Sequence, residues 1–334
     1  MARFLDAEKQ RQAQFRQTTE YFSPVARQDG MYKRKPRPFC LPVEFSSENL
    51  FAAIRAEAIA HFAENTVHWH DGIGQAPSNH LCSSQVCAVN FLYPFATRPN
   101  ALVELLRPLY PNARRALPIE RTGEYVAFEW IGEENYLREH IRGKTRTRGA
   151  NCTSADAAIF IEHNDGLRQI VLVEWKYTES YSSTPLAMAY SGTDRTAIYQ
   201  HLFDDEGFVV RKDRLPSFEA LFFEPFYQFF RQQSLAHKME CARELGADRV
   251  SLLHIAPAHN IDFRKVTSPA LESQSDTAVG VWKAMLTQPD RFTSVSTETL
   301  FRPALAEDFS ELRGWWYYVS QRYGWLTEAV PEFG

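Results

Sequence analysis

The chain has 334 residues, of which 44% are hydrophobic and 13% aromatic, and its formal net charge is −4. This composition supplies enough apolar surface for a sizeable core and excludes a largely disordered chain. The negative net charge argues against a protein that coats nucleic acid indiscriminately. A site for a polyanion must therefore come from local clusters of lysine and arginine.

Two further exclusions concern membranes and disulfides. No run of about eighteen apolar residues occurs, and the first residues, MARFLDAEKQRQ, carry too many charges for a signal peptide. Five cysteines are a sparse and odd-numbered set, which argues against a disulfide framework. We therefore expect a soluble, cytoplasmic protein with no membrane partner.

Residues 1–38 are predicted to form a basic polar arm, because prolines within MYKRKPRPF prevent a regular helix. Its clustered basic residues are Lys33, Arg34, Lys35 and Arg37. Both a solvated arm and a DNA contact are open interpretations. A helix is predicted from Ser47 onward, because apolar residues then recur at helical spacing. These residues are Leu50, Ile54, Ala58 and Phe62.

The segment HWHDGIGQAPSNHLCSSQVC combines imidazole and thiol groups, which are the usual ligands of zinc. The residues concerned are His68, His70, His80, Cys82 and Cys87. Their spacing fits no common zinc finger, and cysteine in an apolar run usually packs as a small hydrophobic residue. A zinc site and ordinary packing are both open. The SSQ triplet at residues 83–85 either lines a substrate groove or forms a polar turn.

Two short elements come next. Residues 125–130 are predicted to form a short strand or to begin a helix, and residues 133–140 to form a helix with Tyr136 and Leu137 facing inward. The loop that follows is the densest positive stretch of the chain, with Arg142, Lys144, Arg146 and Arg148. Because each neutralised phosphate releases counterions, we expect this loop to contact DNA, with a merely solvated loop as the alternative.

A β-hairpin is predicted over residues 157–161 and 170–175, which are rich in β-branched and aromatic residues. The Asn-Asp-Gly sequence between them is strong turn chemistry. The favoured three-residue loop ends in a left-handed residue, which Gly166 adopts without steric cost. This register pairs His163 with Leu167.

The same register places Asp156 directly opposite Glu174, with their Cβ atoms roughly 5 Å apart on one face. Lys176 follows on that face, whereas Trp175 points to the other side. Two carboxylates so close repel each other unless a cation lies between them, and their oxygens suit Mg²⁺ or Mn²⁺. We therefore predict a divalent-metal site here. A surface hairpin with an ordinary Glu–Lys pair is the alternative.

Beyond the hairpin, residues 191–203 are predicted to form a helix that carries Arg195 and Tyr199 one turn apart on the same face. This pair either reaches the scissile phosphate or forms an ordinary contact between arginine and an aromatic ring. A long amphipathic helix over residues 224–245 and a buried strand over 249–256 follow. The order of elements predicts an α/β fold with a mixed central sheet flanked by helices.

The motifs NCTSADAAI, VLVEWKYTESY, EPFYQ and DRVSLLHIAP together resemble the PD-(D/E)XK nuclease superfamily, and more narrowly a bacterial group described as restriction endonucleases. Ala155 stands where the superfamily has its proline. The resemblance implies a restriction-endonuclease-like core at residues 124–260. An N-terminal elaboration at 39–123 would pack on this core, and a C-terminal helical elaboration would follow at 261–334.

The resemblance also implies an activity, namely a metal-dependent endonuclease that hydrolyses DNA phosphodiester bonds in restriction or defence. Asp156 and Glu174, with the main-chain carbonyl of Trp175, would hold Mg²⁺ or Mn²⁺. Lys176 would orient or help to deprotonate the attacking water. A non-catalytic DNA-binding protein on the same fold and an RNA-cleaving nuclease are the alternatives.

In the superfamily, a glutamate from the helix before the Asp strand often adds a carboxylate to the metal site. Glu139 is the best match in this chain, with Glu129 and Glu134 as rivals. No Gly-rich phosphate loop is found, so we expect no ATP coupling within this chain. A homodimer and a separate motor or methyltransferase partner are open.

Overall fold

A mixed sheet lies at the centre of the computed structural model, which describes residues 3–140, 143–305 and 307–330. The strands are β1 (Gly30–Tyr32), β2 (Lys35–Arg37), β3 (Ala113–Leu117), β4 (Val126–Trp130), β5 (Ala155–His163), β6 (Arg168–Trp175), β7 (Arg249–Ala256) and β8 (Phe292–Ser296). β1 and β2 form a small separate ribbon. Within the described residues the central sheet has six strands in the order β3-β5-β6-β7-β8, with β4 also paired to β5.

Helices cover both faces of this sheet. They are α1 (Phe4–Thr18), α2 (Arg55–Glu64), α3 (Ser84–Leu92), α4 (Pro99–Leu106), α5 (Arg195–Asp204), α6 (Phe226–Ala242), α7 (Ala278–Met285), α8 (Thr297–Phe301) and α9 (Arg313–Arg322). One core joins α2, α3, α4, α8 and α9 to one face of the sheet. A second core joins α5, α6 and α7 to the other face. The predicted α/β architecture, a mixed sheet flanked by helices, is confirmed.

The hairpin of β5 and β6 has the predicted register. The His163 N–H donates to the Leu167 carbonyl at 2.8 Å, and Gly166 adopts the left-handed conformation with a φ of 83°. β7 then pairs with β6 in parallel, which confirms residues 249–256 as a buried strand. Trp175 belongs to the core on the α3 side, as predicted.

The N-terminal segment differs in part from the predicted polar arm, because its first part is the helix α1. Glu8, Gln12 and Arg16 are buried on this helix. The Gln12 side chain donates to the Tyr177 hydroxyl at 3.1 Å, directly after the end of β6. The polar pattern of α1 therefore reflects a buried network rather than solvation. The division of the chain at residues 38, 123 and 260 stays a prediction.

The helix predicted from Ser47 begins later, at Arg55. An α-helix over this segment would need the Asn49 carbonyl to accept from the amide four residues on. That carbonyl instead accepts from the Arg322 guanidinium at 2.6 Å and from the Asn90 amide at 3.1 Å. A tertiary contact has therefore replaced the local helical hydrogen bond.

Residues 133–140 form turns, and the helix predicted there is wrong. The Asn135 side chain accepts from the Glu139 N–H at 3.1 Å and donates to the Glu139 carbonyl at 2.8 Å. Asparagine often competes with helices through such local bonds. Arg138 is left-handed with a φ of 54°, which is incompatible with a helix.

The remaining elements agree with the predictions in type and differ in their ends. Residues 125–130 contain the strand β4. α5 begins at Arg195, one residue after Asp194, whose carboxylate accepts from the Thr196 and Ala197 amides. α6 ends at Ala242 and is followed by a left-handed Arg243, whereas the helix was predicted to run to residue 245. No helix in the described part of the chain is long and apolar enough to cross a membrane.

Candidate active site

Asp156 and Glu174 face each other at the end of the β5–β6 hairpin. The ladder pairs Ala157 with Val173, so the next pair outward is Asp156 with Glu174. The Trp175 N–H donates to Asp156 Oδ2 at 2.7 Å. This bond holds one of the two oxygens of the Asp156 carboxylate.

The Glu174 carboxylate is fully buried and both of its oxygens accept hydrogen bonds. One accepts from the Lys176 ammonium, and the other from the side-chain amide of Gln232 on α6. Gln232 also donates to the Ser154 carbonyl at 3.2 Å. The helix α6 therefore holds the ends of β5 and β6 together at this carboxylate.

The charges of Asp156, Glu174 and Lys176 act strongly on one another. Burial and the nearby Glu174 carboxylate raise the pKa of Asp156 well above its usual value, and Glu129 adds to the rise. Burial disfavours the charged form of Lys176, but the Glu174 carboxylate outweighs this cost and holds the pKa of Lys176 well above its usual value. The site thus holds an ammonium group among several buried carboxylates.

Glu129, one of the two predicted rivals of Glu139, lies beside Asp156. β4 pairs Phe128 with Ala157, which places Glu129 next to Asp156 across the ladder. Its buried carboxylate accepts from the Ser154 hydroxyl at 2.7 Å and from the Gln85 amide at 2.8 Å. Glu129 has a φ of 51°, a strained conformation of the kind that clusters at functional sites.

Glu139 occupies a neighbouring but different position. Its carboxylate accepts from the backbone N–H and the hydroxyl of Thr153, each at 2.6 Å, and from the Tyr199 hydroxyl at 2.6 Å. These donors satisfy Glu139 within the protein. Glu134, the other rival, is exposed in the preceding turn. Glu139 was the best match for an additional carboxylate at the metal site. In the structure it is Glu129 that lies beside Asp156.

The Trp175 carbonyl, the third oxygen implied by the superfamily resemblance, lies at the end of β6. In an extended strand the N–H and C=O of one residue point to the same side. Because the Trp175 N–H points to Asp156, its carbonyl also faces that side of β6. The Ser84 hydroxyl at the start of α3 donates to this carbonyl at 3.5 Å. The SSQ triplet is therefore part of the site through Ser84 and Gln85.

His254 of β7 is the partner of Glu174 in the parallel ladder. Burial and the charge of Lys176 lower the pKa of His254 to about 3. The imidazole is therefore neutral at physiological pH, and it hydrogen-bonds with the Ser294 hydroxyl at 3.0 Å. His254 supplies no charge to the site.

Two arginines of the basic loop are bound within the protein, and the predicted DNA contact of this loop stays a prediction. Arg146 donates to the carbonyls of Ile131 and Gly132. Arg148 forms a bidentate pair with Glu120 at 3.0 and 2.6 Å. Lys144 is exposed, and Arg142 lies outside the described residues. Phosphate binding by Arg146 or Arg148 would require the loss of these internal bonds.

The pair of Arg148 and Glu120 predicts a stability effect. Burial favours the neutral form of Glu120, but His61 and Arg148 outweigh it and lower the pKa of Glu120. Arg148→Ala would leave a buried carboxylate without its main partner, so we expect a loss of about 3–5 kcal/mol in the free energy of unfolding. Urea denaturation measures this change. The exposed Lys144→Ala is the control, with a change within about 0.5 kcal/mol, and an equally small change in Arg148→Ala would contradict the structural role.

Arg195 and Tyr199 do share a face of α5, but they serve different contacts. The Arg195 guanidinium donates to the Leu186 carbonyl at 2.9 Å and lies 5.6 Å from the Tyr227 ring centroid. Tyr199 is buried and donates to Glu139. Tyr199 therefore helps to hold the Glu139 carboxylate in place. A phosphate contact by Arg195 or Tyr199 stays a prediction.

The histidines and cysteines considered for zinc do not form a ligand set. Cys82 and Cys87 are buried in the apolar core, whereas His68 and His70 are exposed. His80 packs between the Tyr32 and Phe39 rings. No group of three His, Cys, Asp or Glu side chains among the described residues is arranged to hold a metal ion.

Several polar residues of the site were not predicted from the sequence. They are Ser154, Tyr181, Glu224, Arg231 and Gln232. One signal was present, since Gln232 lies on the inward face of α6 between the buried Phe229 and Ala236. The side chains of Tyr181 and Glu224 come from the loops beyond β6 and before α6. Both belong to motifs that carry the family resemblance, VLVEWKYTESY and EPFYQ, but their local sequence does not place them beside Lys176.

The family model REase-ARP, described as "Restriction Endonuclease associating with ARP", matches residues 9–324. No curated protein and no solved structure matches the chain. The match confirms the predicted resemblance to restriction endonucleases and extends it over nearly the whole chain. The chain therefore belongs to the REase-ARP family.

Proposed function

We propose that this protein is a metal-dependent endonuclease that hydrolyses DNA phosphodiester bonds in restriction or defence. The observation that carries the proposal is the pairing of Asp156 with Glu174, with the Lys176 ammonium on the same carboxylate. Binding DNA does not require buried carboxylates, which repel phosphates. Hydrolysis does require them if they hold a divalent cation beside the scissile bond.

The residues fit such a cation on three grounds. Asp156, Glu174 and the Trp175 carbonyl are hard oxygen donors, which Mg²⁺ and Mn²⁺ prefer. The raised pKa of Asp156 reflects, after burial, repulsion from Glu174 and Glu129 that a cation would relieve. Nearby polar atoms are also buried without a hydrogen-bond partner among the described residues. They are Glu224 Oε2, Tyr181 Oη and Gln232 Oε1.

When bound, Mg²⁺ would lower the pKa of a water molecule and offset charge on the phosphate. Asp156 and Glu174 would hold it, and Glu129 would support it through its neighbouring charge. Lys176 would orient the attacking water and stabilise negative charge that develops on the phosphate. The Gln232 amide keeps the Glu174 carboxylate in place, because it also anchors to the Ser154 carbonyl.

The family description supports two proposals about partners. It names a restriction endonuclease, which supports DNA as the substrate, and it names an association with ARP, which we extend to this chain. A homodimer, a separate motor or methyltransferase partner and a cytoplasmic location stay predictions.

A change at Glu129 tests the metal site. Because Glu129 adds negative charge beside Asp156, Glu129→Gln should raise the Mg²⁺ concentration for half-maximal cleavage of plasmid DNA by several-fold or more. The amide oxygen can accept from the Gln85 amide while its NH₂ group donates to the Ser154 hydroxyl, so the fold should persist. Mg²⁺ titrations of wild type and variant measure the shift.

Glu139→Gln is the matched comparison, because Glu139 is satisfied by Thr153 and Tyr199. We expect a smaller shift in its Mg²⁺ requirement. If Glu139→Gln needs more Mg²⁺ and Glu129→Gln does not, Glu139 is the additional metal-site carboxylate.

A further inference from the structure

Arg231 of α6 stands out among the cations near the proposed site. Its guanidinium donates to the Thr153 hydroxyl at 3.1 Å, and Thr153 in turn donates to Glu139. The next residue, Gln232, binds Glu174 and the Ser154 carbonyl. Arg231 therefore lies beside the start of β5, close to Asp156.

Most other arginines beside the site are committed to internal partners, as Arg148 is to Glu120. Within the described residues, no carboxylate oxygen lies within 4.0 Å of the Arg231 guanidinium. Its Nε is buried and has no hydrogen-bond partner there. The guanidinium is thus a cation with unused donor capacity.

The position of this guanidinium is fixed in advance. It lies 4.4 Å from the Tyr227 ring centroid, a distance typical of a cation–π contact. Together with the hydrogen bond to Thr153, this contact holds the planar guanidinium group of Arg231 in one orientation. An arginine held in this way matches the geometry of phosphate oxygens and loses little conformational freedom on binding them.

We infer that Arg231 binds a phosphodiester group of the polynucleotide next to the scissile bond. This inference rests on the proposed function, and it deepens that function by assigning a phosphate contact to α6. The contact offsets the repulsion that Asp156, Glu174 and Glu129 exert on an approaching phosphate. Arg231 acts on binding and on placement of the substrate, with no role in proton transfer.

The experiment measures the affinity of a fluorescein-labelled DNA duplex by anisotropy at several KCl concentrations. EDTA is present throughout to prevent metal-dependent cleavage. Arg231→Gln should weaken binding several-fold and lower the slope of log K against log [KCl] by about 0.9, the value for one phosphate contact. Arg231→Lys should keep the slope, because it keeps the charge.

Arg243→Gln is the matched control. Arg243 follows the same helix about 18 Å further along, and it is exposed and paired with Asp248 at 2.6 Å. This variant should bind DNA like the wild type. Thermal unfolding of every variant checks that a lost slope does not come from lost folding.

An unchanged salt slope in folded Arg231→Gln overturns the inference, as does a wild-type protein without measurable affinity for DNA. If Arg231→Gln unfolds, the salt slopes of Arg231→Lys and Arg231→Met are compared instead. Equal slopes in these two variants also overturn the inference. Cleavage by the wild type with Mg²⁺ is measured separately. If the salt slope depends on Arg231 but the wild type cleaves no DNA, the phosphate contact of Arg231 is supported and the proposed nuclease function is contradicted.

Discussion

Lys176→Ala is expected to reduce DNA cleavage by at least about 10²-fold, the usual contribution of a positioned acid–base or electrostatic group. The ammonium of Lys176 is held on Glu174, at the end of β6 where the attacking water would lie. The substitution removes this cation and keeps the oxygens of Asp156, Glu174 and the Trp175 carbonyl. Binding of Mg²⁺ and of DNA should therefore persist.

Single-turnover cleavage with saturating protein measures this effect, and calorimetry with Mg²⁺ checks the metal. Because Lys176 is the ion-pair partner of a buried carboxylate, the variant should also be less stable, so both assays run well below its unfolding temperature. Lys283→Ala, at an exposed lysine of α7, is the control and should cleave at the wild-type rate. Cleavage by Lys176→Ala within a few-fold of wild type would remove Lys176 from the chemistry.

Asp156→Asn is expected to abolish metal-dependent cleavage and, at the same time, to stabilise the metal-free protein. The asparagine oxygen can still accept from the Trp175 N–H, so the local fold is kept. What disappears is a carboxylate whose pKa is raised by burial and by the charges of Glu174 and Glu129. Mg²⁺ should raise the melting temperature of the wild type and leave that of the variant nearly unchanged.

The pH dependence of this stability gain has a definite sign. A carboxyl group whose pKa is higher in the folded than in the unfolded protein costs stability once the unfolded form ionises. The cost is absent below the unfolded pKa and grows as the pH rises toward the folded pKa. The advantage of Asp156→Asn in metal-free buffer should therefore increase from acidic to neutral pH. A variant less stable than wild type at neutral pH would contradict the repulsion between these carboxylates.

Local sequence was enough to predict the centre of the site. The Asn-Asp-Gly turn determines the hairpin register, and the period of a strand then determines which side chains share a face. The shared face of Asp156, Glu174 and Lys176 follows from these two rules alone, whereas their role at a metal site is a proposal that also rests on the family resemblance. Their environment does not, because Gln232 and Arg231 come from a helix more than fifty residues away in sequence.

The differences between the predicted and the observed structure have a common physical cause, namely polar groups that have partners within the fold. Asn135 binds the backbone of Glu139 and prevents the predicted helix. Arg148 binds Glu120, and α1 buries Glu8 and Gln12. A charged residue looks the same in sequence whether its partner is a phosphate, water or a distant carboxylate. Only the fold distinguishes these cases.

The most direct test of the proposed activity is a cleavage assay of the purified wild-type protein. Supercoiled plasmid, linear duplex, single-stranded DNA and RNA are each incubated with Mg²⁺ or Mn²⁺ and, in parallel, with EDTA. We predict that DNA is cut with either metal, that EDTA abolishes cleavage, and that Asp156→Asn and Lys176→Ala are inactive under the same conditions. Cleavage of RNA alone would change the substrate, and a wild type that binds DNA yet cuts no nucleic acid with either metal would contradict the account.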